Sequence, residues 1–98
     1  LQKHFASPGI LICRYGGEEF CIVLPECAKK DAVEMARSFV KLVDSEDVML
    51  RRERTHITVS AGVAAFPQDA KMKEDLIQKA DEALYEAKKS GRNQVCVA

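Results

Sequence analysis

A pair of adjacent glycines, Gly16-Gly17, constrains the fold of this chain more than any other feature of its sequence. The runs on either side, residues 10–15 and 18–24, are rich in apolar side chains and resemble strands. A two-residue glycine link between such runs predicts a β-hairpin, because the tight turns that join antiparallel strands require positive φ angles. Both runs are almost continuously apolar away from the turn, which indicates a sheet covered on both faces.

A turn made of the two glycines also predicts the register of this hairpin. Arg14 would lie opposite Glu19, and Cys13 would lie opposite Phe20. Because successive side chains of a strand point to opposite faces, Cys13 and Cys21 would then lie on different faces of the sheet. We therefore expect no disulfide between these two cysteines.

The remainder of the chain alternates between helical and extended patterns. The further predicted elements are helices at 30–45 and 73–89 and strands at 56–66 and 94–97. The charged residues 46–55 are expected to form a connection or an exposed edge. Gly62, inside the third strand, predicts a bulge or a close approach of another backbone, and Gly91 is a candidate left-handed cap for the second helix. The predicted order is strand, strand, helix, strand, helix, strand.

The composition fits one soluble domain that spans residues 1–98. The chain has 98 residues, of which 47% are hydrophobic and 31% charged, and its formal net charge is zero. Balanced charge argues against non-specific nucleic-acid binding, which needs excess cations, but is compatible with a nucleotide site. We find no signal peptide and no apolar run of the ~20 residues that cross a bilayer, so we expect no direct membrane contact from this segment. The missing initiator methionine suggests a piece of a longer chain.

The four cysteines give no sign of a metal or redox motif. They are Cys13, Cys21, Cys27 and Cys96, and no two are spaced as CxxC. Three lie in apolar runs, where cysteine commonly behaves as a small buried hydrophobe. The expected setting is therefore the reducing cytoplasm.

The turn carries two carboxylates, Glu18-Glu19, directly after the glycines. Turn glycines allow a ligand to approach the backbone closely, and a neighbouring carboxylate suits Mg²⁺, which prefers oxygen ligands and phosphates. The alternative is a plain hairpin with a solvated acidic tip.

The second helix ends with a pair of cations. Lys88 and Arg92 are four residues apart, so both could reach one anion if helical geometry continued through the cap. The alternative is that these cations only complement the dipole of the helix C-terminus.

Three segments together resemble one known family. Residues 14–20 read RYGGEEF, residues 58–64 read TVSAGVA, and residues 80–93 read ADEALYEAKKSGRN. These blocks, in this order, are similar to the signature, a strand and the closing segment of GGDEF-domain diguanylate cyclases. The resemblance extends from about residue 10 to the C-terminus.

The resemblance implies an α+β, palm-like fold with a nucleotide-cyclase or ferredoxin-like sheet and flanking helices. It implies an enzyme in which two such domains, as a homodimer, each bind one GTP. The 3′-hydroxyl of each GTP attacks the α-phosphate of the other, which gives cyclic di-GMP and pyrophosphate. Divalent metal, Mg²⁺ or Mn²⁺, and positioned cations would neutralise the triphosphate. An upstream sensory or receiver domain is implied in the full-length protein, which would act in cytoplasmic bacterial signalling.

The resemblance also assigns roles by position. Glu18 would bind the metal and accept the proton of the attacking hydroxyl, and Glu19 would support the metal site. Gly16 and Gly17 would let the nucleotide lie against the backbone. Lys88 and Arg92 would bind the terminal phosphates.

Two departures from the family pattern qualify these roles. The chain lacks the family's leading strand with its metal-binding aspartate, so we expect a gap in the sheet and no cyclase activity from the 98 residues alone. In addition, the R-x-x-D product-binding motif is replaced by Ser7-Pro8-Gly9-Ile10, so we expect that inhibitory site to be missing.

Two other functions remain alternatives at this point. A degenerate domain would bind GTP or cyclic di-GMP without forming product, and a structural domain would serve only for dimerisation.

Overall fold

A computed structural model describes residues 11–16 and 19–98 of the chain. Its elements are β1 (Leu11–Gly16), β2 (Glu19–Val23), α1 (Lys29–Ser45), β3 (Asp47–Leu50), β4 (Glu53–His56), β5 (Ala61–Val63), α2 (Lys73–Lys89) and β6 (Val95–Val97). All six elements predicted from the sequence occur in the predicted order. The described strands form three two-stranded sheets: β1–β2 and β3–β4 are antiparallel, and β5–β6 is parallel.

The core lies where both helices pack against the parallel pair β5–β6. Its buried apolar residues are Val33, Val40, Val63, Ala83 and Ala87. Two of them come from α1 and two from α2, at spacings of seven and four residues, so each helix buries one face. Among the residues whose side chains the structure describes, only small and β-branched ones are buried, which lets the helices approach the short strands closely.

Gly62 permits the closest of these approaches. A Cβ atom at this position would collide with the carbonyl oxygen of Ala80 and with the backbone of Leu84. The structure therefore confirms the predicted close approach of another backbone and shows that it belongs to α2. The third strand is shorter than predicted: His56 belongs to β4, Ala61–Val63 forms β5, and residues 57–60 and 64–65 form no strand.

The register predicted for the first hairpin is wrong by one residue. Arg14 pairs with Phe20 and Cys13 pairs with Cys21, and a β-bulge follows, because Gly16 pairs with Glu19. Gly16, predicted as a turn residue, is therefore a paired strand residue, and Gly17 and Glu18 lie outside the described part of the chain. An extra residue on one strand of a hairpin changes which residues are opposite each other. Cys13 and Cys21 are thus register partners.

Residues 47–56, predicted as a connection or exposed edge, form an additional hairpin. Its turn consists of Arg51 and Arg52, whose φ angles of 50° and 68° are left-handed. Asn and Gly usually occupy such positions, so the sequence carried no turn signal here. At the base of the hairpin, His56 Nε2 lies 2.9 Å from Asp44 Oδ1 at the end of α1. Hydrogen bonds from the Asn93 side chain and then from His56 lower the pKa of Asp44.

The end of α2 is capped as the sequence predicts. Gly91 has a φ of 116°, and the backbone N–H of Arg92 donates to the carbonyl of Ala87 at 2.9 Å. This bond satisfies one of the terminal carbonyls of the helix, as in a Schellman motif. The backbone N–H of Asn93 then donates to Ser60 Oγ at 3.0 Å, which directs the chain into β6 beside β5.

A lysine at the start of α1 joins two distant segments. Lys29 Nζ donates to Asp69 Oδ1 at 2.9 Å and to the carbonyl of Ala98 at 2.8 Å. Asp69 Oδ2 also accepts the backbone N–H of Ala65 at 2.7 Å. The Lys29 hydrogen bond, followed by that from Ala65, lowers the pKa of Asp69. Both helices of the described part are too short and too polar to cross a membrane.

Candidate active site

Two of the predicted site residues meet between β2 and α2. Lys88 Nζ, in the last turn of α2, donates a hydrogen bond to Glu19 Oε2 at 3.0 Å. Glu19 is the first residue of β2, so its position is set by the hairpin turn immediately before it. The two side chains are 31% and 36% exposed, and both remain accessible to a ligand.

This ion pair contributes little to folding and is available for other partners. Pairs that are exposed to this extent stabilise a protein by about 0–1 kcal/mol, because solvent screens the charges and ordering two side chains costs entropy. A ligand with higher charge density can therefore replace either partner at small cost.

The pair lies at an open groove of about 690 Å³ along the outer side of α2. The described residues that line it are Glu19, Gln78, Asp81, Glu82, Leu84, Tyr85, Glu86 and Lys88. Four are carboxylates and one is a cation, so the groove as described carries an excess of negative charge. An anionic ligand would need added positive charge to bind here.

The additional lining residues were missed by sequence reasoning. Gln78, Glu82 and Tyr85 recur at helical spacing on the side of α2 that is turned away from its apolar stripe. Tyr85 is 66% exposed, which is unusual for an aromatic side chain in a helix. The same periodicity that predicted the buried face could have identified this outer face, but it gives no sign that β2 lies beside it.

Arg92 does not join Lys88 in the groove. The helix ends at Lys89, and the left-handed residues Gly91 and Arg92 turn the chain away from the helix axis. The condition stated for a shared anion, that helical geometry continues from Lys88 to Arg92, is therefore not met. Arg92 is exposed and is absent from the described lining of the groove.

The acidic turn is described only at its two ends. Gly16 and Glu19 form the last register pair of the hairpin. Gly17 and Glu18 lie outside the described residues, so the roles predicted for them stay predictions.

Within residues 11–16 and 19–98, no three His, Cys, Asp or Glu side chains are grouped as a metal site. The described part offers the Glu19 carboxylate. This agrees with Mg²⁺ chemistry, since Mg²⁺ is usually held by one or two carboxylates together with substrate phosphates and water rather than by a complete protein cage.

Comparisons with known proteins agree with this geometry. A family model described as diguanylate cyclase, GGDEF domain, matches residues 1–94. Response regulator PleD of Caulobacter vibrioides is 40% identical over 87 residues, which cover 87% of this chain and 19% of PleD. Diguanylate cyclase A of Treponema denticola is 34% identical over 85 residues, which cover 87% of this chain and 23% of that protein. The chain thus spans about a fifth of these curated relatives.

Solved structures show the same fold. The active GGEEF domain of a diguanylate cyclase from Vibrio cholerae has a TM-score of 0.85 and 30% identity, over 98% of this chain and 60% of that one. The GGDEF domain of DgcB from Caulobacter crescentus, in complex with c-di-GMP, has a TM-score of 0.84 and 32% identity, over 97% of this chain and 55% of that one. The palm-like α+β fold expected from the sequence is therefore confirmed, and the chain belongs to the diguanylate cyclase GGDEF domain family.

Proposed function

We propose that residues 1–98 form the C-terminal part of a single GGDEF domain that condenses two GTP molecules into cyclic di-GMP and pyrophosphate. One observation carries this proposal. The carboxylate of Glu19, from the GGEEF segment, lies 3.0 Å from the ammonium of Lys88, from the closing helix, beside an open groove. Carboxylate and cation are the two groups needed to hold a metal-bound triphosphate, and the fold brings them together from positions 69 apart in the sequence.

The proposed roles follow from the charges at the groove. Bound Mg²⁺ or Mn²⁺ would neutralise the triphosphate and polarise the reacting phosphate. Glu19 would turn from Lys88 toward the metal, and Lys88 would then bind a terminal phosphate oxygen in a charge-assisted hydrogen bond. Glu18 would complete the metal site and accept the proton of the attacking hydroxyl. Gly16 and Gly17 would allow the nucleotide to lie against the turn.

Arg92 has a weaker basis in this scheme than Lys88. Its backbone leaves the helix, and its side chain is exposed outside the described groove lining. We propose that it contacts the terminal phosphates only when nucleotide is bound. This role requires the long side chain to fold back toward α2.

The proposed partners are GTP, a second copy of the domain and an upstream regulatory domain. Neither nucleic acid nor membrane is proposed as a partner of this segment. Cyclisation joins two nucleotides twice, so two domains must present their nucleotides face to face. Among the relatives, PleD is named a response regulator, and MucR of Pseudomonas aeruginosa, 35% identical over 85 residues, is named a bifunctional cyclase and phosphodiesterase. We propose that this domain works in the cytoplasm.

The test uses the protein that carries these 98 residues, incubated with GTP and Mg²⁺, with cyclic di-GMP quantified by chromatography. Glu19→Gln is expected to lower kcat by about 10²-fold or more, the range found when one stabilising group is removed from an active site. Glu26→Gln is the matched control, since Glu26 is an exposed carboxylate beyond the end of β2.

Two outcomes would overturn the proposal. Binding of GTP or cyclic di-GMP without any product would instead support the degenerate, ligand-binding domain. Equal activity of Glu19→Gln and Glu26→Gln would show that the cyclase activity does not depend on Glu19 at this groove.

A further inference from the structure

Two of the four cysteines lie directly opposite each other in the first hairpin. Cys13 in β1 and Cys21 in β2 are register partners in an antiparallel pair. Their Cα atoms are therefore about 4.5–5.5 Å apart, depending on whether the pair is hydrogen-bonded. Disulfides bridge Cα separations of about 4.4–6.8 Å, so the separation of this pair lies within the range that a disulfide spans.

The other two cysteines differ in this respect. Cys27 lies between β2 and α1, and its thiol donates to the carbonyl of the next residue, Ala28, at 3.5 Å. Cys96 in β6 is the register partner of Gly62. Neither faces a second cysteine in the strand pairing, and no disulfide links Cys21, Cys27 and Cys96.

We propose that Cys13 and Cys21 form a dithiol that is reversibly oxidised to a disulfide across the hairpin. This modification site is separate from the cyclase reaction and does not depend on it. In a reducing compartment such disulfides are transient and serve in redox sensing rather than as permanent braces.

The oxidant is a low-molecular-weight disulfide such as oxidised glutathione. One cysteine thiolate attacks it, which forms a mixed disulfide and releases one glutathione thiolate. The second cysteine, as its thiolate, then attacks the protein sulfur of the mixed disulfide and releases the second glutathione thiolate. The two protein thiols lose two electrons and two protons, and one glutathione disulfide is reduced to two thiols.

The position of this pair connects it to the GGEEF segment. Cys21 follows Glu19 by two residues, so the two lie on the same face of β2. The bulge between Arg14 and Gly16 begins after the register pair next to Cys13 and Cys21. A covalent bond at this pair fixes the separation of the strands next to the bulge, and so it restricts changes in twist that would move Glu19 relative to Lys88.

The test measures the bond itself. The full protein is equilibrated in glutathione buffers of increasing oxidised-to-reduced ratio, quenched with acid, alkylated and digested with trypsin. Cleavage after Lys3, Arg14 and Lys29 separates Cys13 from Cys21. Oxidation is expected to join peptides His4–Arg14 and Tyr15–Lys29 and to lower the number of alkylatable thiols in these two peptides from three to one.

Matched variants identify the bridge. The peptide that holds Cys21 also holds Cys27, so Cys27→Ser must retain the linked peptides, and Cys96→Ser must retain them as well. Cys13→Ser and Cys21→Ser must each lose them. The proposal fails if the linked pair is absent at every ratio, if it disappears in Cys27→Ser, or if a bond between two protein molecules replaces it on non-reducing gels.

Discussion

The ammonium of Lys88 and the carboxylate of Glu19 lie 3.0 Å apart, although the two residues are 69 positions apart in the sequence. One comes from the last turn of α2 and the other from the first position of β2. The pair is partly exposed, so it adds little to stability, yet it brings opposite charges together at the groove. In the proposed mechanism, Glu19 leaves Lys88 to bind the metal, and Lys88 binds a phosphate oxygen instead of Glu19.

This relationship leads to a prediction for Lys88→Met. A hydrogen bond to a charged group contributes about 1.5–3 kcal/mol, so loss of the phosphate contact should weaken GTP binding by about 10–100-fold. The free energy of unfolding should change by less than about 1 kcal/mol, because the pair with Glu19 is screened by solvent. Calorimetric titration with a non-hydrolysable GTP analogue and chemical denaturation give the two values.

Lys89→Met is the control for this prediction. Lys89 adjoins Lys88 and is exposed, but it does not line the groove in the described part of the chain. Its substitution should leave the affinity for the analogue essentially unchanged. If both variants lose the same affinity, Lys88 contributes only general positive charge and makes no specific contact with the phosphates.

The first hairpin shows which features of the candidate site could be predicted from the sequence. The glycine pair correctly predicted two antiparallel strands, although it placed the start of the second at Glu18, one residue before the observed start at Glu19. It did not predict the register, because a bulge inserts an extra residue between Arg14 and Gly16 without a distinctive sequence signal. The shift by one residue makes Cys13 and Cys21 register partners, so the argument that separated them onto different faces was wrong, although Cys21 carries no disulfide in the structure.

The helices were predicted within about one residue, because their apolar stripes repeat over four turns. The short strands were harder to predict. Only three residues of each strand in β5–β6 pair, and a periodicity of two cannot be established over so few positions. The contact between Glu19 and Lys88 is tertiary, and no local pattern encodes it; the family resemblance alone placed both residues in one site.

The second hairpin leads to a prediction about its turn. Arg51 and Arg52 both adopt left-handed φ angles, 50° and 68°, which cost L-residues other than Gly and Asn roughly 1–2 kcal/mol each. The double substitution Arg51→Asn with Arg52→Gly should therefore raise the free energy of unfolding by about 1–2 kcal/mol. Denaturant unfolding followed by circular dichroism measures this change.

A second double variant separates turn geometry from charge. Arg51→Gln with Arg52→Gln removes the same two charges but supplies no residue suited to positive φ. It should show little or none of the gain. If both double variants are stabilised equally, charge repulsion between the arginines is the cause and the assigned turn conformation is not.

Gly62 leads to a prediction about the core. A methyl group here would collide with the Ala80 carbonyl and the Leu84 backbone, and backbone atoms in a packed helix cannot move aside as a flexible side chain can. Gly62→Ala should lower the free energy of unfolding by about 3 kcal/mol, at the upper end of overpacking costs. Gly91→Ala is the comparison: its Cβ would meet only Gln94 Nε2 at 3.8 Å, so the loss should be limited to the cost of a positive φ, about 1–2 kcal/mol. Thermal denaturation of both variants tests this order, and the reverse order would refute the close packing of α2 on β5.

The last prediction concerns Asp69 and pH. Its side chain is only 12% exposed and accepts hydrogen bonds from Lys29 and from the Ala65 backbone. Lys29 favours the charged carboxylate, so the pKa of Asp69 lies below its ordinary value in the folded protein. The contribution of Asp69 to stability is therefore complete above the unfolded pKa of about 3.9, and it is lost as the pH falls through the lower, folded value.

Asp69→Asn isolates this contribution, because the amide oxygen can still accept the Ala65 N–H but carries no charge. At neutral pH we expect the variant to be less stable by about 1 kcal/mol, the usual worth of a hydrogen bond within a protein. The difference from the parent protein should shrink as the pH falls below about 4. Urea unfolding between pH 7 and pH 2.5 measures it, and repeating the pair on a Lys29→Met background should remove most of the difference at every pH. Only the charged pair with Lys29 gives a contribution that vanishes on protonation. If the difference in unfolding free energy persists unchanged at low pH, or survives the loss of Lys29, then Asp69 acts through packing or through the Ala65 bond.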